Sequence, residues 1–269
     1  MMGAGDAFGF FVAKLGAKVS AFFSAVPYIL GYIGRTFLSS FAFVKREKAA
    51  RKILIMQLLF TFIEALPIVV ILSVSLGSAI FLVGYELLLS LGQSSMIYQI
   101  LLVVVVRELG PLLVAFVVTA RSATAIATEL GGMVTSHQVE SYISVGVDPI
   151  DYLVAPRFLG VTLSVFFLGL YFSLCGIVGP AVVAKFVNPT IANGYFTGLL
   201  KHLSLMMIAT SVIKSIVFGM VISITATYYG FNVERASTEI PVAGIQAVSK
   251  SFVGIIVADV IITIIPSLL

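Results

Sequence analysis

The sequence predicts an all-α integral membrane protein, and three observations carry that prediction. The chain of 269 residues is 60% hydrophobic and only 10% charged, where a soluble domain carries about 25% charged residues. Its mean hydropathy is +1.15. Its apolar residues gather in charge-free runs of about 20 residues, the length that spans a bilayer as a helix. Together these exclude a soluble globular enzyme, a disordered tail and a disulfide scaffold; the single cysteine, Cys175, permits no intrachain disulfide. The formal charge of +4 reads as topology, because most of the excess sits in one short cluster; a nucleic-acid partner is not expected.

The elements follow in chain order. Residues 1–44 mix Phe8, Phe10, Phe11, Leu15, Phe22 and Phe23 with Lys14 and Lys18, two lysines four apart on one face. This suits a helix lying in the membrane interface, with an ordinary extra span as the alternative. No basic stretch precedes the apolar run, so a cleaved signal peptide is not expected. Five membrane helices are predicted over 60–86, 96–120, 155–186, 204–230 and 243–267, the second continuing past the membrane at its C-terminal end. The Gly92-Gln93-Ser94-Ser95 break separates the first two.

Lys45, Arg46, Lys48, Arg51 and Lys52 cluster just before the first span. The positive-inside rule places that side in the cytoplasm. The connection from Glu86 to Gln99 has no Lys or Arg and faces outward. Five spans then put the N-terminus inside and the C-terminus outside.

Chemistry is sought where charge meets lipid. The second span carries Arg107-Glu108-Leu109-Gly110-Pro111 among apolar residues. A charge at this depth costs at least ~2.5–3.5 kcal/mol, so something offsets it: either a polar patch facing a cavity that handles a charged headgroup, or a structural ion pair at a helix contact. Pro111 removes a backbone donor and favours a kink. Lys214 and Asp259 are the other deep charges, set to pair with each other or with Glu108 and Arg107. Glu64 falls nearer the interface.

Small residues recur four apart along the second helix at Ala115, Thr119, Ala123, Ala127 and Gly131, with Ala120, Thr124, Thr128 and Gly132 beside them. They allow close helix packing, within the chain or between copies. Met133 to Pro149 then reads as a short amphipathic helix, with Val139, Ile143 and Val147 on one face, Ser136 as its cap, and His137, Gln138 and Glu140 exposed. Asp148, Pro149 and Asp151 turn the chain into the third span. His137 and His202 form no local metal motif. No Gly-rich loop ending in Gly-Lys-Ser/Thr exists, so the chain is not expected to bind ATP itself; nor is a local hydrolase signature present.

The stretch RELGPLLVAFVVTARSATAIATELGGM, followed by VESYISVGVDPIDYLVAPR, resembles the MlaE/YrbE permease family, membrane subunits of bacterial lipid-transporting ABC systems. The stretches Gln57 to Val69 and Val212 to Gly219, and the closing ADVIITIIP containing Asp259, are similar to it too, so the resemblance covers roughly 50–269. It implies an elbow region at 1–44 and a permease transmembrane domain at 45–269 with a coupling helix at about 135–147. It implies a homodimer, cytoplasmic ABC ATPase subunits carrying ATP and Mg, a periplasmic ring of MCE-domain protein, in some systems a STAS-domain subunit, and phospholipid as cargo. The expected location is the bacterial inner membrane. Arg107 and Glu108, with Lys214 and Asp259 in later spans, would line the lipid path; His137, Gln138, Glu140, Gly146 and Asp148 would meet the ATPase. No cofactor, metal or catalytic residue is implied for this chain.

Overall fold

The computed structural model describes residues 27, 29–43, 48–187, 194–234 and 236–268, and among them there is no strand. The interfacial-helix assignment based on Lys14 and Lys18 lies outside the described residues. Within them, α1 covers 29–43. Then follow α2 (Lys48–Ser90), α3 (Met96–Thr135) and the short α4 (Gln138–Ser144). The third span, α5, enters through a π-helical turn at Ile150–Val154 and runs over Ala155–Val187. α6 (Tyr195–His202), α7 (Leu205–Phe231) and α8 (Ile240–Leu268) complete the chain.

Five of these helices, α2, α3, α5, α7 and α8, are long and apolar enough to cross a membrane, and the protein is a multi-pass membrane protein. Helices are the form an open chain takes in lipid, because every backbone N–H and C=O is then satisfied internally. The expected first span began at residue 60; α2 begins at Lys48. The basic cluster is therefore partly the first turns of a 43-residue helix, roughly 65 Å long at 1.5 Å per residue, which outreaches the hydrocarbon at its ends. Charges that continue a helix into water cost nothing, so they mark the membrane edge and not the helix end.

The connections are set by local chemistry. After α2, Gly92 takes φ +71°; its N–H donates to the Leu89 carbonyl (3.0 Å) and the Gln93 N–H to the Leu88 carbonyl (2.9 Å). The same paired closure ends α4: Gly146 has φ +79°, with Gly146 N–H on Ile143 O (3.0 Å) and Val147 N–H on Tyr142 O (2.9 Å). This is the left-handed stop that glycine makes at low cost.

The bundle is held by close backbone approach. α2 and α5 cross where Gly77 meets Gly176, and a Cβ on Gly77 would collide with the Gly176 carbonyl. The expected small-residue row of α3, Ala115, Thr119, Ala123, Ala127 and Gly131, is buried throughout, so that row packs within the chain; Ala120, beside it, is exposed. Helix α6 was not foreseen. It docks Tyr195 and Leu199 inward, with Tyr195 edge-on to Phe81 at 4.8 Å and its hydroxyl donating to the Ile177 carbonyl at 2.8 Å. Burial pushes that phenol's pKa well above its ordinary value. α8 buries the smallest share of its surface among the five spans, leaving Val253, Ile256, Val257, Val260 and Ile261 exposed.

Candidate functional site

The four deep charges meet in one network. Arg107 Nε lies 3.0 Å from Glu108 Oε1. Glu108 Oε2 accepts from Lys214 Nζ, and Lys214 Nζ lies 2.7 Å from Asp259 Oδ1. The chain of contacts ties α3 to α7 and α8. Lys214 has no exposed surface, whereas Arg107, Glu108 and Asp259 keep 27%, 30% and 24% of their side chains accessible. The cation at the centre is sealed and the outer members remain reachable.

Local backbone geometry explains how adjacent residues pair. Arg107 and Glu108 lie in a π-helical segment, Leu102–Leu109, closed by the Gly110 N–H on the Val105 carbonyl. Pro111 follows at once. It has no N–H for the Arg107 carbonyl, and the helix absorbs this by widening one turn and continuing as Gly110–Val118. Such π segments occur often at functional sites. A second one, Thr119–Ala123, carries Arg121.

Two more ion pairs bind α3 to its neighbours, and sequence reasoning missed both. Arg121 pairs with Glu64 of α2, its guanidinium 5.9 Å from the centre of the Phe60 ring. Arg157 of α5 meets Glu129 at 2.8 Å and donates through Nη1 to the Leu153 carbonyl at 2.8 Å. The Arg157 side chain is 7% exposed and that of Glu129 51%. Both pairs had the signal that flagged Arg107, an ionisable residue inside an apolar helix, but Arg121 and Glu129 sit among Ala, Ser, Thr and Gly and were absorbed into the small-residue pattern.

The segment after α3 places its expected residues as follows. His137 takes a left-handed φ of 58°, and its Nδ1 lies 2.8 Å from Glu140 Oε2, both side chains well exposed. Gln138 and Glu140 are exposed on α4. Two expectations need correcting. Ser136 does not cap α4: its hydroxyl donates back to the Gly132 carbonyl at 2.7 Å, finishing α3. The inward face of α4 is Val139 with Tyr142, while Ile143 is 59% exposed; the left-handed residue at 137 shortens the helix and turns the stripe. Gly146 is the stop of α4, as described above.

Asp148 caps the next helix. Its Oδ1 accepts the Ile150 N–H at 2.9 Å and its carbonyl the Tyr152 N–H at 3.1 Å, with Pro149 at the first helical position. Its other oxygen holds Arg35 of α1 at 2.9 Å, and Ser39 donates to Asp151 at 2.5 Å. α1 is thus latched to the turn between α4 and α5. Asn caps as well as Asp, so Asp148→Asn separates the two roles. It removes an exposed ion pair worth about 0.2–1 kcal/mol. Amide exchange over 29–43 should rise several-fold while the first turn of α5 stays protected; Asp148→Ala should release both.

Comparison with known proteins fits this arrangement. The family model described as Permease MlaE matches residues 54–265. A probable ABC transporter permease protein of Rickettsia typhi is 28% identical over 207 residues, covering 77% of this chain and 80% of that protein. The intermembrane phospholipid transport system permease protein MlaE of Haemophilus influenzae is 25% identical over 257 residues, 94% of this chain and 96% of that protein. The chloroplastic protein trigalactosyldiacylglycerol 1 of Arabidopsis thaliana is 32% identical over 173 residues, 64% of this chain and 49% of that protein. With the family model spanning all five membrane helices and all four residues of the charge network, the chain belongs to the MlaE permease family.

Proposed function

We propose that this chain is the membrane subunit of an ABC transporter that moves phospholipids or similar amphiphiles between a bacterial inner membrane and a periplasmic MCE-domain partner. ATP hydrolysis, with Mg, takes place in separate cytoplasmic subunits. The observation that carries the reading is the network Arg107–Glu108–Lys214–Asp259, which joins three membrane helices and whose outer members stay accessible. The Haemophilus relative, named as a phospholipid transport permease, supports the substrate class.

Arg107 offers a planar fork of donors suited to a lipid phosphate, and exposed apolar residues beside the network suit acyl chains. Two copies meet along the exposed face of α8, which brings both networks to one shared cavity. The end of the bundle bearing Lys52 faces the cytoplasm. His137, Gln138, Glu140, Gly146 and Asp148 then lie where ATPase subunits dock, and a STAS-domain subunit would join them there. Closure of the ATPase pair pushes α4, and α1 moves with it through Arg35 and Asp148.

The test is transport of labelled phospholipid between reconstituted vesicles and the MCE-domain partner. Arg107→Ala should lower transport at least about tenfold, the worth of one charge-assisted contact, while ATPase subunits still co-purify. Full transport by Arg107→Ala would remove the network from the lipid path. A failure of the subunits to assemble would instead make the charges a scaffold.

A further inference from the structure

The lower half of α2 and the C-terminal part of α3 part from each other between two ion pairs, Glu64–Arg121 and Glu129–Arg157. The gap is a cavity of about 520 Å³, within the range of small-molecule sites. Met56, Gln57, Phe60, Ala125, Glu129 and Arg157 line it. It shares no residue with the Arg107 network. Met56 and Phe60 are 61% and 43% exposed, so the mouth opens sideways, toward where lipid lies. Lys52, exposed, sits next to the lining residue Ile53 at the basic end of the bundle.

The polar floor is specific. Arg157 is buried, and its guanidinium is fixed on one nitrogen by the Leu153 carbonyl and on another by Glu129. Its Nε is buried with no hydrogen-bond partner. A buried donor left unpaired is destabilising, and a ligand acceptor relieves it. Arginine with an apolar slot beside it matches a phosphate joined to an acyl chain, and the neighbouring basic residues draw such headgroups to this end.

We propose that this cavity binds a phospholipid from the leaflet nearest the basic cluster, its phosphate at Arg157 and an acyl chain along Met56 and Phe60. The site is a second lipid station, separate from the charge network. It rests on the proposed function for its substrate class and for the orientation of the bundle.

The full chain in nanodiscs is labelled with a phosphatidylethanolamine carrying a photoreactive group near the headgroup, and labelled peptides are mapped. Label is expected on 53–60 and 125–129. Ala125→Phe fills the cavity and should lower that label about tenfold without changing label elsewhere; Arg157→Gln should do the same, and a diacylglycerol probe, lacking phosphate, should label the site about tenfold less than the phospholipid. Unchanged label in Ala125→Phe, or equal label from diacylglycerol, overturns the site. Loss of label to soluble glycerophosphoethanolamine overturns the lipid as occupant. Transport is read in parallel on the same wild-type protein assembled with its ATPase subunits in vesicles and assayed against the MCE-domain partner. Transport without cavity label sinks the site alone, and cavity label without transport sinks the transport reading alone.

Discussion

Lys214→Ala should be the most damaging single substitution in the chain. Lys214 has no exposed surface and contacts both Glu108 and Asp259. Its removal leaves two carboxylates facing each other in an apolar bundle with no cation between them. Breaking a buried ion pair from one side costs about 3–5 kcal/mol. Thermal unfolding of the detergent-purified variant should show a markedly lower midpoint and a reduced yield. The neutralised double variant Lys214→Met, Asp259→Asn should recover most of that stability, because the charges that remain, Arg107 and Glu108, pair with each other. If Lys214→Ala unfolds like the parent, the contacts are not the anchor that the geometry indicates.

Gly77→Val ranks second. The Cβ it adds meets the Gly176 carbonyl, part of the α5 backbone, which cannot turn aside as a side chain can. α2 and α5 must separate along their crossing. Overpacking costs about 1–3 kcal/mol, and a clash with backbone belongs at the upper end. Gly132→Ala is the control: it meets nothing within 4 Å and lies in the interior of an α-helical segment, where alanine gains about 0.5–1 kcal/mol over glycine. Unfolding midpoints should therefore move in opposite directions. A Gly77→Val protein as stable as the control would mean the crossing is looser than described.

The five spans are legible in the sequence because a bilayer imposes one simple rule, a long run without charge. The Gly92 break is legible for an equally local reason. The start of α2 at Lys48 is not, since a helix leaving the membrane obeys water's rules and not lipid's. Helix α6 escapes because eight residues carry too short a pattern; only the Tyr195–Leu199 spacing hinted at it. Within the site, Arg107, Glu108, Lys214 and Asp259 stand out by type and depth. That Lys214 takes the central place is a matter of how α3, α7 and α8 pack, a non-local outcome that one sequence does not spell. Glu64–Arg121 and Glu129–Arg157 were hidden by their small neighbours. The reversal at Ser136 and Ile143 follows from one left-handed residue, His137, which composition does not announce.

The network of Arg107, Glu108, Lys214 and Asp259 alternates in sign, and its formal charges cancel. An elementary charge moved across a membrane potential of 100 mV exchanges about 2.3 kcal/mol with the field. A neutral group of four that shifts as a body exchanges none. Displacement of this group as a body is therefore neither driven nor resisted by the electrical gradient.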